Sequence, residues 1–376
     1  SRSKKIGSAY LFSGPVGSGK EGLAIKFAQL INCKSGSSEF CDRCDSCLKF
    51  QTLQHEQLNL IIPLPTPKSS SNTDIIPKEY FEALNNKSKD LFYKMALPKA
   101  NRILIQSIRD LKKKLYFKSE KESGRKFVLI FDAEQLCSGQ GESGNALLKL
   151  LEEPPGETTF ILVTDHKKLL FETIISRCQN IDIPCLNDAY IYNWLIEKQL
   201  NEVDADILVK ISRGNIHSAR MLSSQSIEDI MNTIEKLTTT VIGKDPQKWR
   251  NFTSHYSRVY NASQLDFDRQ LNLIIIWLQG ANKLRQNLVS GFERTGLHSR
   301  MTSFNEKFPN ETLKNDLISQ VNNLVNINSF TKKNLDLLGL ISNEISIMDN
   351  ISLISINSDS NKLSIEVEAI DYQEIE

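Results

Sequence analysis

Short apolar runs alternate with stretches of helical spacing through the first half of the chain, and helical spacing fills most of the second half. Ala9–Phe12, Phe127–Asp132 and Phe160–Thr164 read as buried strands, with shorter candidates at Ile103–Ile105 and Ile181–Ile183. Apolar runs of this length suit strands covered on both faces. Between them Gly22–Leu30 has helical spacing. Ile108, Leu111 and Leu115 recur at i, i+3 and i+7 in a helix over Gln106–Phe117, and a helix opening at Asn145 is closed by Pro154 and Pro155. A shorter helix is predicted over Leu169–Ser176. Strands and helices alternating at this spacing predict an α/β fold, a parallel sheet with helices on both faces, over residues 1–184.

From residue 185 the period is helical. Ile191–Leu200 and Ala205–Ser212 predict a small helical domain over 185–224. Long amphipathic patterns at Ile227–Thr240, Pro246–Tyr260, Leu265–Leu288 and Leu313–Met348 predict an all-α domain over 225–350, with Leu271, Ile274, Ile275 and Leu278 on one face. Trp194, Trp249 and Trp277 read as core or interface anchors. Ser352–Ile375 alternates with period two around Ser358–Asn361, so residues 351–376 are either a hairpin or a disordered acidic tail.

A length of 376 residues fits two or three domains, and an apolar fraction of 40% fills ordinary cores. No apolar run reaches the ~18 residues of a membrane span, and the opening Ser-Arg-Ser-Lys-Lys does not resemble a signal peptide. The expectation is a cytoplasmic protein, trimmed or fragmentary at its N-terminus. A net charge of +1 excludes a strongly basic nucleic-acid binder but not a local phosphate site.

The chemistry starts at Ser13–Glu21. Gly14, Gly17, Gly19 and Lys20 follow the phosphate-loop pattern G-x-x-x-x-G-K-[ST], after a strand and before a helix. Its backbone N–H groups would cradle phosphate while Lys20 reaches the β- and γ-phosphates. Glu21 stands where a magnesium-binding hydroxyl belongs. Asp132 ends the second buried strand, the place of the acid near magnesium in phosphate-loop ATPases, but Ala133 follows where a water-polarising Glu belongs. Strand alternation directs Glu134 elsewhere. Thr164 ends the third strand, placed to sense a γ-phosphate.

Seven cysteines without a secretory signal argue against a disulfide framework. Cys33, Cys41, Cys44 and Cys47 form a cluster whose four thiolates suit tetrahedral zinc in a closed structural knuckle. Residues 63–101 read as an insertion without an assignable role: a proline-rich stretch, an exposed loop at Ser69–Asn72, then a helix over Ile76–Lys94. Lys112–Lys114 read as a solvated helix face.

The order of phosphate loop, four-cysteine knuckle, FVLIFDAEQL, NALLKLLEEPP, ILVTD and Ser176-Arg177-Cys178 resembles the AAA+ clamp-loader subunits of bacterial DNA polymerase III, the delta-prime type above all. The resemblance covers residues 8–222. It implies an AAA+ sheet with a zinc knuckle at 33–47, a helical lid and a C-terminal helical collar. It implies that Cys33, Cys41, Cys44 and Cys47 bind zinc and that Arg177 acts in trans as an arginine finger on a neighbour's ATP. It implies as partners the gamma/tau ATPase and delta subunits, the sliding clamp and, through the complex, primed DNA, in a hetero-oligomer away from any membrane. The family's lid arginine is replaced by His217, which cannot contact phosphate bidentately. With Glu21 and Ala133, this predicts weak or absent ATP or ADP binding and no hydrolysis. The alternatives are an active gamma/tau-like ATPase with Glu21 or Glu134 as substitute ligands, and a zinc-knuckle nucleic-acid binder with a vestigial nucleotide fold.

Overall fold

The computed structural model describes residues 6–35, 39–66, 77–116 and 124–242, much of 243–307, and the backbone of 351–359 and 362–369. The expected loop at Ser69–Asn72, Trp249, most of Pro246–Tyr260 and all of Leu313–Met348 lie outside the described residues. The chain divides into two compact units, residues 1–199 with 212–221, and residues 200–211 with 222–376.

The first unit is built on five parallel strands: β1 (Ala9–Ser13), β2 (Leu58–Ile61), β3 (Lys126–Ile130), β4 (Thr158–Thr164) and β5 (Gln179–Asp182). They lie in the order β2-β3-β4-β1-β5. Alternation along the central strands divides the core in two. Leu11, Val128, Ile130, Phe160 and Leu162 face a cluster with α4 (Ile105–Tyr116) and α5 (Glu142–Glu152). Phe12, Phe127, Leu129, Ile161 and Val163 face the other, with α1 (Lys20–Asn32), α2 (Asp45–Gln51) and α3 (Lys78–Lys89). Every residue of β4 is buried, as a central strand covered by helices requires.

Two expectations need correction, and one strand is new. Ile103–Ile105 is not a strand; α4 begins at Ile105, and Ile103 is a buried anchor before it. The strand on the other side of β3 from β4 is β2, whose four residues LNLI make too short a run to announce a strand. The helix expected over Ile76–Lys94 ends at Lys89, and the chain then turns back.

Past β5 the first unit carries α6's successor α7 (Asp188–Glu197), α6 itself being the short helix Glu172–Ile175. Asn187 caps α7 by accepting the Ala189 N–H. In the second unit the helices Ile227–Ile242, Gln264–Arg285 and Gly296–Lys307 bury Ile230, Ile274, Leu278 and Met301. Trp277 is wholly buried against Phe304, edge to face at 6.1 Å. Arg300 pairs with Glu228 and Glu235. Ile351–Asp359 and Lys362–Ala369 pair antiparallel, so the C-terminal alternation is a hairpin. No described helix is long and apolar enough to cross a membrane.

Candidate functional site

The carboxyl ends of neighbouring parallel strands converge on one place, where open α/β sheets bind ligands. Ser13 lies beside Thr164 and Asp182 in register, and the phosphate loop leaves β1 at this point. Gly14, Gly17 and Gly19 all have positive φ. At Gly17, with φ +75°, a Cβ would lie 1.9 Å from Asn215 Oδ1. At Gly19, with φ +78°, a Cβ would meet the Phe92 ring at 3.3 Å. The loop therefore has the backbone shape of a phosphate cradle, but Phe92 and Asn215 stand against it.

Lys20 does not reach outward. Its ammonium turns back onto the loop, donating to Gly14 O at 2.9 Å, Pro15 O at 2.6 Å and Ser18 Oγ at 3.1 Å. It also pairs with Asp165 at 2.6 Å. Glu21, in the first turn of α1, is buried and meets two further lysines: Lys87, in the last turn of α3, at 2.6 Å, and Lys94, in the turn after it, at 3.0 Å. Lys94 bridges onward to Asp132 at 2.5 Å and Asp165 at 3.6 Å. Lys87 has no exposed side-chain surface and also donates to Tyr93 O at 2.7 Å.

Three ammonium groups thus face three carboxylates in one largely buried network. Burial alone would raise Glu21, but Lys87 and Lys94 outweigh it and hold the carboxyl well below the usual range. Burial likewise works against the charged form of Lys94, yet Asp132, Glu21 and Asp165 push it well above an ordinary lysine. Asp132 is raised to about 6 by burial, with Lys94 opposing and Glu134, Glu21 and Asp165 adding repulsion. Asp165 ends below its ordinary value because Lys94 and Lys20 overcome its burial.

The turn after α3, which carries Lys94, is pinned at Asp90, Phe92 and Tyr93. Asp90 accepts the Phe92 N–H at 2.9 Å and pairs with Arg220 at 2.5 Å, and Arg220 lies over the Tyr93 ring. His217 donates from Nδ1 to the Phe92 carbonyl at 2.7 Å. Burial, with Glu21 opposing and Lys94 and Lys87 assisting, lowers it to about 4, so the imidazole is neutral at neutral pH. Phe92 packs edge to face on Tyr190 and Trp194 of α7. The space left among Gly17–Glu21, Lys94, Asp132, Asp165 and His217 is about 10 Å³, room for about one water. Small-molecule sites are typically about 300–1,000 Å³.

Two further residues lie beside the network. Thr164 is buried, and its hydroxyl is committed to Glu134 at 2.6 Å. Glu134 does not line the space described above, but strand alternation is not the reason, because β3 ends at Ile130. Asp132 then takes a left-handed conformation, φ 47°, before a 3-10 turn over Ala133–Cys137, so strand alternation no longer governs Glu134. The residues missing from the sequence reading are Lys87, Lys94, Phe92 and Asp165. The available signal was a lysine inside the apolar run Leu91-Phe92-Tyr93-Lys94-Met95-Ala96-Leu97 and the acid following Thr164.

Two sites lie outside this network. The ligand atoms of Cys33, Cys41, Cys44 and Cys47 lie within 4.8 Å of one another. Sulfur separations of 3.6 Å (Cys33–Cys41) and 4.0 Å (Cys41–Cys47) bracket the ~3.8 Å edge of a tetrahedron with ~2.3 Å zinc–sulfur bonds. The cluster fits a metal such as zinc. Arg177 is exposed just past α6 and pairs with Glu152.

Residues 1–187 match the family described as DNA polymerase III, delta subunit. The chain is 28% identical over 219 residues to DNA polymerase III subunit delta' of Bacillus subtilis, covering 58% of this chain and 54% of that protein. It is 25% identical over 252 residues to subunit delta' of Pseudomonas aeruginosa, covering 65% and 66%. Against subunit tau of Bacillus subtilis it is 29% identical over 247 residues, covering 63% and 37%. The chain thus spans about half of the first of these relatives and about a third of the last. With the parallel sheet and phosphate-loop order described above, these matches mean that residues 1–187 belong to the family of DNA polymerase III clamp-loader subunits.

Proposed function

We propose that this chain is a non-hydrolysing, delta-prime-like clamp-loader subunit that keeps the nucleotide fold as a scaffold. The observation that carries the reading is the lysine-closed pocket. Lys94, Lys87 and Lys20 pair with Glu21, Asp132 and Asp165, and the small space of about 10 Å³ left among them supports the reading that no triphosphate is held there. In this reading ATP or ADP binds weakly or not at all. Gly14, Gly17, Gly19, Lys20, Asp132 and Thr164 serve the architecture.

Arg177 supplies a finger to the ATP of a neighbouring gamma/tau subunit, where such arginines stabilise charge at the transferring phosphoryl group. Zinc on Cys33, Cys41, Cys44 and Cys47 is structural, because four protein ligands leave no position for substrate. Residues 185–224 act as the lid, and the helices of 225–350 as the collar of a hetero-oligomer with the ATPase and delta subunits, which places the sliding clamp on primed DNA.

The test uses purified subunits. The chain alone should neither bind a fluorescent ATP analogue nor turn over ATP. Arg177→Ala should lower turnover of the reconstituted loader while leaving its assembled mass unchanged; full turnover in that variant would sink the finger. A gamma/tau-like ATPase is the second reading, favoured by the 29% identity to tau. Magnesium-dependent hydrolysis by the chain alone, abolished by Lys20→Ala, would establish it instead.

A further inference from the structure

Arg177 is not a free side chain. It lies between two elements whose neighbouring residues are anchored in the same core: Leu151 beside Glu152 at the end of α5, and Ile174 and Cys178 around the end of α6. Glu152 Oε1 accepts from Arg177 Nε at 2.9 Å and also from Nη2. The Thr173 carbonyl, within α6, accepts from Nη1 at 2.8 Å. These three bonds use three of the five N–H donors of a guanidinium. They fix its plane on two edges and leave two donors for an incoming anion.

We propose that Glu152 is a positioning residue for Arg177, holding the guanidinium in a set orientation at the subunit surface before a neighbour's phosphate arrives. The inference rests on the reading above that Arg177 works in trans. An arginine on a bare surface must give up the rotamer freedom of a long side chain when it engages phosphate. Here the chain orders the stem and plane in advance, and such pre-organisation is realised as rate. The pair is too exposed to matter much for folding, so its effect should be on turnover and not on stability.

The experiment compares variants in a loader reconstituted from the full chain with its ATPase and delta partners. Glu152→Ala should lower kcat about two- to fivefold, the range of an exposed ion pair, with KM for ATP and assembled mass unchanged. Glu152→Gln keeps Oε1 as an acceptor and should return kcat to the wild-type level. Adding Glu152→Ala to Arg177→Ala should slow turnover no further. A Glu152→Ala loader at or above wild-type kcat, or a double variant slower than Arg177→Ala alone, would overturn the positioning role while the finger stands. Full turnover by Arg177→Ala would remove the finger, and this inference with it.

Discussion

Lys94→Met tests the closed pocket directly. Methionine keeps an unbranched apolar stem but deletes the ammonium that faces Asp132 at 2.5 Å, Glu21 at 3.0 Å and Asp165 at 3.6 Å. Removing one partner of a buried ion pair costs about 3–5 kcal/mol, because the remaining charge is left uncompensated. Asp132 can relieve this by taking up a proton, since burial has already raised it to about 6 against the pull of Lys94. Without Lys94 it titrates higher still. The sign follows from linkage: an acid whose folded pKa lies above its unfolded value binds more protons in the folded state, so stability falls as pH rises through that window.

In the wild type the Asp132 contribution is spent by about pH 6. In Lys94→Met the window extends upward, with a slope of up to about 1.4 kcal/mol per pH unit. The variant should therefore lose about 3–5 kcal/mol at pH 8 and markedly less at pH 6. Hydrogen exchange of the β1, β3 and β4 amides, corrected for intrinsic rate, reads this unit separately from the other. A loss of 3 kcal/mol would appear as about a hundredfold lower protection. Equal pH slopes for variant and wild type between pH 6 and 8, or a variant within about 1 kcal/mol at pH 8, would refute the network as described.

Three further outcomes are expected. His217 is lowered to about 4, so the folded state binds fewer protons than the unfolded one between pH 4 and 6.5, and stability should fall by up to about 3 kcal/mol as pH drops through that window; His217→Gln should flatten this slope in acid unfolding curves. Gly17→Ala sets a Cβ against Asn215 at a φ of +75° and should cost about 1–3 kcal/mol in urea unfolding, whereas Gly139→Ala, equally positive in φ but with nothing within 4 Å, should cost less. Metal analysis under reducing conditions should find one zinc per chain, lost in Cys44→Ser and on treatment with a strong chelator.

Much of the first unit was legible because period and length are local properties. Apolar runs covered on both faces announced β1, β3 and β4, and Gly-Lys between a strand and a helix announced the cradle. β2 escaped because a four-residue strand with Asn59 and a half-exposed end has no distinctive pattern. The cysteine spacing announced a metal-sized cluster because its ligands are close in sequence and the loops between them are short.

By itself the sequence determined a parallel α/β sheet with a phosphate-loop pattern, and that Glu21, not Ser or Thr, follows Lys20. Only the tertiary structure decided what fills the pocket. Lys87 lies 66 residues from Glu21, and Lys94 lies 38 from Asp132, in a segment that read as an insertion without a role. A lysine in an apolar run does not reveal in the sequence which carboxylate it will meet. That depends on a turn held by Asp90, Arg220 and His217, and on burial strong enough that each charge must find its opposite.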